Sequence, residues 1–360
     1  MLDQFKKVSK ADWLAKVEKD LKGKPLDSLD WQLEGSVYTP FFHADDLAQA
    51  GATSDQSTNE WQICEVVYVG TIVTARTQAL AALEKGANAL SFQLQRPLTE
   101  PELTELLEGI HLEWIHTHFE GPADAMADLP AMVHAVVTAK KERGYNVSCS
   151  FAQVPADQIE TIDEELPLAA IYLIEEPTGV GQSAGLAAML LEASDYLSQL
   201  EASSIEIQSW SQKLMFRVYT SDDFFVTIAK IRALQLLWAQ LMYAWQGTET
   251  HSDTARVEAV ARVEEADSDE HTNKVRLTNR AMAAAVAGVE RLTIYPSDQH
   301  QQSGGDTFSR RIALNIHHLL QQESYLHQVV DPASGSYYIE TLTNDLAEAA
   351  WSIFQKESEA

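Results

Sequence analysis

Apolar positions along this chain follow two alternating patterns from Trp61 onward. Short β-branched runs alternate with stretches whose apolar residues recur every three or four positions, and this unit repeats eight times. The first pattern is typical of buried strands and the second of amphipathic helices. Strands are predicted at residues 62–69, 89–95, 112–119, 146–154, 169–175, 213–219, 256–263 and 290–295. Eight strands alternating with helices predict an α/β fold, a closed (β/α)8 TIM barrel with parallel strands.

Two long apolar patterns predict how helices pack late in the chain. The stretch 221–246 is apolar over an unusually wide face, which indicates burial both against the sheet and against a further layer or subunit. A later helix is predicted to begin after Asp306 as N-cap. Its apolar stripe is predicted to face the core through Phe308, Ile312, Ile316, Leu319 and Leu320.

Three segments of the chain are distinctive: IAKIRALQLLWA at 228–239, FSRRIALNIHHLLQQES at 308–324 and DPASGSYYIETLT at 331–343. They resemble the substrate-binding barrel of the methylmalonyl-CoA mutase family. With the N-terminal run at 13–42, the resemblance covers essentially the whole chain. It is greatest to the small, non-catalytic subunit, which implies structural support of a heterodimer. The large subunit of that heterodimer isomerises methylmalonyl-CoA and succinyl-CoA.

The chain is predicted to have three parts: an N-terminal arm and linker at 1–58, the barrel at 59–322, and a C-terminal extension at 323–360 that carries the DPASGSYYIE motif. A helix in the arm would place Trp13, Leu14, Val17 and Leu21 on one side. Because a helix of this length is marginal alone, it should dock on the barrel or on a partner. Deleting residues 1–45 is then expected to weaken association, with itself or with a large subunit, and to leave the barrel folded.

Strand alternation predicts an unusually polar barrel lumen. Inward positions fall on Ser91, Gln93 and Gln95 in the second strand, and on Asn146, Ser148 and Ser150 in the fourth. Most barrels fill this space with branched apolar residues. Water could satisfy such a lumen, or it could bind a ligand, since the mutase family threads the pantetheine arm of coenzyme A through its barrel.

An alternative function therefore stays open: an acyl-CoA-binding barrel that works with a cobalamin domain on another chain or in a missing C-terminal part. The candidate substrate-binding residues are Ser91, Gln93, His116, His118, Ser148, Ser150 and Arg217. His116 and His118 also form the kind of pair that metal-dependent hydrolases use. The predicted strands that follow contain no further histidine, so a metal site is disfavoured.

Independent mutase chemistry is not expected of this chain. Catalytic members of the family carry a Tyr-His pair that corresponds to positions near Leu173 and Ile174 of this sequence. Neither leucine nor isoleucine can transfer a proton. The family's cobalt-ligating pattern, Asp-x-His-x-x-Gly, is only approximated at 298–304, where Ser303 stands in place of the glycine. The resemblance thus implies no cofactor bound by this chain, and adenosylcobalamin for the complex.

Charge and composition exclude several classes of partner. With 53 acidic and 26 basic residues, the net charge is −27, which disfavours nucleic acid and anionic membranes. No dense basic cluster stands out in the sequence to offset the phosphates of coenzyme A. The N-terminus has no apolar leader pattern, and Cys64 and Cys149 fall in predicted strands. A cytoplasmic protein with buried, reduced thiols is expected.

The loop GVGQSAG at 179–185 follows a strand and opens a helix. Its spacing differs from the G-x-G-x-x-G pattern of nucleotide-binding loops, so a barrel turn explains it better. The free N–H groups of such a turn could still hold an anion.

Overall fold

The computed structural model describes residues 8–43, 46, 58–139, 147–154, 156–166, 169–203, 205–206, 209–247, 254–263, 269–299 and 304–358. Eight parallel strands form one sheet in which neighbouring strands follow one another along the chain, and the last strand, at 291–294, lies beside the first, at 62–69. A parallel bridge between Ser150 and Ala170 joins the fourth and fifth of these strands. The predicted (β/α)8 TIM barrel is therefore confirmed.

All eight predicted strands are present, several of them shorter than predicted. They are β3 (Gln62–Val69), β4 (Ala89–Leu94), β5 (His116–Glu120), β6 (Ser148–Phe151), β7 (Tyr172–Glu175), β8 (Leu214–Tyr219), β9 (Val257–Ala261) and β10 (Arg291–Ile294). The third predicted strand starts too early, because residues 112–115 form a turn before His116. Asn146, predicted to face the lumen, lies outside the described residues.

Helices surround the barrel and precede it. They are α1 (Lys10–Asp20), α2 (Ile72–Glu84), α3 (Glu100–Leu106), α4 (Ala123–Met126), α5 (Leu129–Ala139), α6 (Ile159–Glu165), α7 (Gln182–Ala202), α8 (Trp210–Lys213), α9 (Phe224–Gln246), α10 (Glu270–Ala287), α11 (Thr307–His318) and α12 (Tyr337–Ser358). Cys64 and Cys149 are both buried free thiols, as expected.

Helix α9 is buried on two sides, as its wide apolar face predicts. It packs on the barrel, where Trp238 meets Phe216 of β8 edge to face at 5.1 Å, and α12 covers its outer side. Among the described residues, α9 is the one helix long and apolar enough to cross a membrane. Because 72% of its apolar window is buried within the fold, it is a core helix.

The stripe predicted for α11 is partly wrong. Ile316 and Leu320 are buried, but Phe308 and Leu319 are 48% and 47% exposed. The face that meets the core also carries Ser309, Ala313, Leu314 and His317. The indole N–H of Trp61 donates to Nδ1 of the buried His317 at 3.2 Å. Since small and polar residues occupy part of this face, apolar periodicity alone misplaces it.

The N-terminal arm consists of α1 and an antiparallel hairpin, β1 (Trp31–Leu33) and β2 (Ser36–Tyr38). No residue of α1 is buried, and its apolar face is half-exposed. The hairpin is different, because Tyr38 is 4% exposed and Trp31 stacks on it at 5.0 Å. Trp31 also contacts Tyr338 at the start of α12. The hairpin thus packs on the C-terminal helix.

Candidate functional site

The barrel brings the sequence-predicted polar residues together in its lumen. Strand pairing sets Ser91 beside His118 and His118 beside Ser150, and it sets His116 beside Ser148. The opposite faces of these strands meet the helices through a stack of three rings, Phe92, Phe119 and Phe151. Of the predicted inward residues, Gln95 is the exception: it lies past the end of β4 and is exposed.

The two lumen histidines are joined by serine hydroxyls. Ser148 Oγ lies 2.8 Å from His116 Nδ1, and Ser150 Oγ lies 2.8 Å from both His116 Nε2 and His118 Nδ1. His118 Nε2 lies 3.3 Å from a carboxylate oxygen of Glu120. Burial lowers the pKa of both imidazoles, and that of His116 well below its usual value. Both rings are therefore neutral at pH 7, with each ring nitrogen already engaged.

A buried ion network crosses the lumen beside these histidines, where Arg291 Nη1 lies 3.3 Å from Ser150 Oγ. The guanidinium of Arg217 donates to Glu258 Oε2 at 2.8 Å and to Glu120 Oε2 at 2.6 Å. Arg291 donates to the same Glu258 oxygen at 2.9 Å, and Thr293 Oγ1 donates to the other at 2.6 Å. Arg217 is 8% exposed, and Glu258 and Arg291 are fully buried.

The network fixes the charges of its members. Burial alone would raise the pKa of each carboxyl group, but the neighbouring guanidinium groups outweigh it. Arg217 holds the pKa of Glu120 at about 2, and Arg217 with Arg291 holds that of Glu258 well below its usual value. Two carboxylates and two guanidinium groups thus remain ionised and balance each other across the lumen.

Sequence reasoning missed three of these residues, Glu120, Glu258 and Arg291. Each could be found from the sequence, because a charged residue within a short apolar strand is conspicuous, and strand alternation then assigns it to the lumen side. Glu258 interrupts the apolar run of β9, and Glu120 follows His118 by two positions. Arg217 is the one charged member of this network that the sequence analysis names, as a candidate substrate-binding residue.

A cavity of about 580 Å³ opens at the carboxyl end of the barrel, directly above the network. It is lined by Tyr68, Gln93, Thr178, Arg262, Val263, Tyr295 and Gln299. Gln93 connects the cavity to the lumen, because its amide donates to Glu120 Oε1 at 2.7 Å and lies 3.1 Å from the Tyr295 hydroxyl. The guanidinium of Arg262 lies 3.9 Å above the ring of Tyr219. This mouth offers hydrogen-bond donors and one cation.

Leu173 and Ile174, near which the family resemblance places a Tyr-His pair, are apolar. Leu173 contacts the lumen residues Ala170 and Met215, and Ile174 is fully buried in the main core. The described residues also contain no group of three or more His, Cys, Asp or Glu side chains placed to hold a metal ion. Proton transfer from strand β7 to a ligand in the lumen is therefore not available at either position.

The glycine loop before α7 holds an anion that the chain itself supplies. Both carboxylate oxygens of Glu34, at the tip of the β1–β2 hairpin, accept from the backbone N–H of Ser183, at 3.3 and 3.2 Å. The Ser183 hydroxyl donates to the same carboxylate. A Cβ at Gly181, the N-cap, would crowd the end of the Glu34 side chain, so a larger residue there would displace this carboxylate from Ser183. The loop is a barrel turn that binds the arm.

Asp298, the first residue of the cobalt-ligating near match, is engaged in the loop after β10. It is 7% exposed, and its Oδ2 accepts from the backbone N–H of Asp306 at 2.9 Å. His300 lies outside the described residues. The described part of this loop therefore shows a structural use of the aspartate and no fit to a cobalt ligand set.

A family model and the relatives similar in sequence agree on one family. Residues 170–360 match the family model described as methylmalonyl-CoA mutase. The methylmalonyl-CoA mutase small subunit of Porphyromonas gingivalis is 29% identical, in an alignment that covers all of this chain and 64% of that protein. A probable methylmalonyl-CoA mutase small subunit of Mycobacterium bovis is 30% identical over 82% of this chain and 52% of that protein.

The chain thus spans about half to two thirds of the length of these relatives. Among solved structures, a dihydropteroate synthase of Burkholderia cenocepacia covers 74% of this chain and 93% of its own, at 10% identity and a TM-score of 0.40. That similarity is too low to bear on function.

Proposed function

Because the chain belongs to the methylmalonyl-CoA mutase family, we propose that it serves as a non-catalytic barrel of the small-subunit type. It would pair with a large subunit that isomerises methylmalonyl-CoA and succinyl-CoA, in the cytoplasm. Two relatives that carry the small-subunit name support this proposal, since they align with most or all of the chain. We also propose that the chain has three parts: an arm and linker that end at residue 58, a barrel that ends at residue 322, and a C-terminal extension.

The observation that carries the proposal is the ion network in the lumen. A channel for a substrate arm needs open space and hydrogen-bond donors that are free to bind the ligand. In this lumen Arg217 and Arg291 are instead ion-paired with Glu258. Breaking a buried pair to admit a ligand would cost about 3–5 kcal/mol, and the ligand would have to offset that cost. A filled lumen suits a subunit that supports its partner.

In this proposal adenosylcobalamin is bound within the complex, and residues 1–360 do not bind it. In the family this cofactor supplies the carbon radical that starts the rearrangement. The described residues do not fit it, because Asp298 is turned into its own loop and the barrel mouth is lined by tyrosine, glutamine and arginine. This chain's residues would shape and stabilise the partner's surface, and no chemical step is assigned to them.

A second function, acyl-CoA binding, is favoured by the mouth cavity and by one buried hydroxyl. Ser91 is 1% exposed, and its Oγ has no hydrogen-bond partner in the described part of the chain. Gln93 and Arg262 at the mouth could bind a carboxylate or a thioester oxygen. In this alternative the substrate-binding residues remain Ser91, Gln93, His116, His118, Ser148, Ser150 and Arg217.

Co-expression with a candidate large subunit tests the main proposal. Size-exclusion chromatography should show one complex of both chains, and turnover of methylmalonyl-CoA should require the large subunit and added adenosylcobalamin. Turnover by the isolated chain would refute the proposal.

Calorimetric titration of the isolated chain with methylmalonyl-CoA tests the alternative. Saturable binding that Gln93→Ala weakens would favour it, provided that Gln95→Ala leaves the affinity unchanged. Gln95 is a matched control because it is the same residue type two positions further on, outside the lumen. Unchanged affinity in both variants would reject the lumen as the binding site.

A further inference from the structure

A second cavity, of about 430 Å³, lies on the outer wall of the barrel between α2 and α11. Thr74 and Thr77 of α2 line one side, and Arg310 and Arg311 of α11 line the other. Lys85, which follows α2, completes the lining. We call this cavity the outer groove. It lies on the helical side of β3, so the lumen and its mouth do not share it.

The fold assembles in the outer groove a basic cluster that the sequence does not show. Lys85 is more than 200 positions away from Arg310 and Arg311 in the chain. None of the three has a carboxylate within ion-pair distance in the part of the chain that the structure describes. In a chain of net charge −27, three neighbouring cations with no close ion pair are unexpected. The carboxyl groups that act on them at longer range are Glu65 and the N-cap Asp306.

Local structure does not explain these cations. Arg310 and Arg311 lie near the beginning of α11, whose helix dipole disfavours positive charge at that end. Arg311 gains one contact, with the ring of Phe308 at 5.2 Å, and both residues stay at least partly accessible. Their position is therefore better explained by an anion that binds between the two helices.

A buried carboxyl group forms the floor of the groove. Glu65 of β3 points away from the lumen, is 6% exposed, and its Oε1 lies 3.4 Å from the amide nitrogen of Gln78. Burial raises its pKa to about 7, although Arg310 and Lys85 both oppose that rise. Near neutral pH this group can donate a hydrogen bond when protonated and accept one when ionised.

We propose that the outer groove binds a small organic phosphate. Arg310 and Arg311 bind the phosphate group, because guanidinium groups match its oxygens in charge and geometry. Lys85 and the hydroxyls of Thr74 and Thr77 contact the rest of the ligand. Glu65 at the floor pairs with a hydroxyl group of the ligand body.

The size of the groove favours a small molecule over a protein partner. At about 430 Å³ the groove falls within the range of ligand pockets, about 300–1,000 Å³. A stable protein interface would instead need roughly 800 Å² of surface on each partner. A concave site with one buried polar group at its floor is typical of ligand pockets. An acidic peptide is the competing occupant, and the experiment distinguishes the two.

Isothermal titration of the full chain with glycerol 3-phosphate tests the proposal, with inorganic phosphate and glycerol titrated separately. We expect saturable binding of glycerol 3-phosphate, weaker binding of phosphate and none of glycerol. Arg310→Gln/Arg311→Gln should weaken binding about 10-fold or more. Lys24→Gln/Lys356→Gln removes the same charge from exposed positions outside the groove and should leave the affinity unchanged.

Lys85→Gln, on the other side of the groove, supplies an independent variant if the double variant does not fold, and it should also weaken binding. The proposal is wrong if glycerol 3-phosphate does not bind, if the groove variants bind as well as the wild type, or if the control variant loses the same affinity. Binding of a hexaglutamate peptide in place of glycerol 3-phosphate would reassign the groove to an acidic partner. Equal affinities for phosphate and glycerol 3-phosphate would remove the role given to Glu65.

Discussion

Arg232 of α9 donates from Nη2 to Glu340 Oε1 of α12 at 2.7 Å, and both side chains are 1% exposed. The same guanidinium pairs with Asp331, and the Glu340 carboxylate also accepts from the backbone N–H of Gly335 at 2.9 Å. Two of the motifs that identify the family, at 228–239 and 331–343, are thus joined by one buried cluster. Their role in this chain is to hold α12 against the barrel.

Replacing Arg232 by Met should destabilise the protein by about 3–5 kcal/mol, because Glu340 would be left buried and charged without its partner. Urea unfolding measures the change. Arg232→Met/Glu340→Met should recover part of the loss. Arg256→Met breaks the more exposed pair with Glu290 and should cost less. If Arg232→Met and Arg256→Met lower the free energy of unfolding equally, the buried Arg232–Glu340 pair does not have the stabilising role given to it here.

Glu120 should make the protein acid-sensitive. Its folded-state pKa of about 2 lies below the unfolded value of about 4.3, so the unfolded chain binds more protons between these values. Stability from this group is complete above about pH 4.3 and is lost as pH falls toward 2. Glu120→Gln should therefore cost about 3 kcal/mol at pH 7 and progressively less below pH 4.3.

Urea unfolding of wild type and Glu120→Gln at several pH values from 3 to 7 tests this expectation. Glu113→Gln, which removes a carboxylate outside the lumen, serves as the control for the loss of one negative charge. A gap between wild type and Glu120→Gln that stays constant over the whole range would mean that Arg217 does not hold the Glu120 charge.

The Glu34 contact should order the beginning of α7. Glu34→Gln removes the charge that the helix N-terminus binds, and we expect a loss of about 1 kcal/mol with faster amide exchange at Ser183. Hydrogen exchange read by mass spectrometry locates the change. Glu18→Gln on the exposed side of α1 is the control. Unchanged exchange at the start of α7 would show that the hairpin tip is not bound there in solution.

The arm should behave as two parts. Deleting residues 1–24 removes α1, which has no buried residue, so the melting temperature should hardly change. Deleting residues 1–45 also removes Tyr38 and the Glu34 contact, and should lower the melting temperature. If α1 docks on a partner, both deletions weaken association in sedimentation. Full stability of the longer deletion would contradict the hairpin packing.

Strand periodicity was sufficient to predict the barrel, because each strand is buried on both sides and flanked by turns. The wide face of α9 likewise predicted a second covering layer. The buried face of α11 was predicted in part wrongly, because apolar spacing assigns Phe308 to that face. In the structure Ser309 and His317 lie on it instead. Pairs such as Arg232 with Glu340 join residues 108 positions apart, so only the folded chain reveals them.

In the site, alternation along the strands located the polar lumen residues but not their partners. Which side chains bond depends on the register between strands, such as Arg217 beside Glu258 and Glu258 beside Arg291. That register is set by tertiary packing. Glu34 had no sequence signal at all, since its partner Ser183 lies 149 positions away.

The most direct test of the central claim is turnover by the assembled complex with altered lumen histidines. His116→Gln/His118→Gln in this chain, co-expressed with a large subunit, should leave kcat and KM for methylmalonyl-CoA unchanged wherever size exclusion shows an intact complex. A fall in kcat of about 100-fold or more in an intact complex would show that this barrel takes part in the chemistry, and would contradict the non-catalytic role proposed for it.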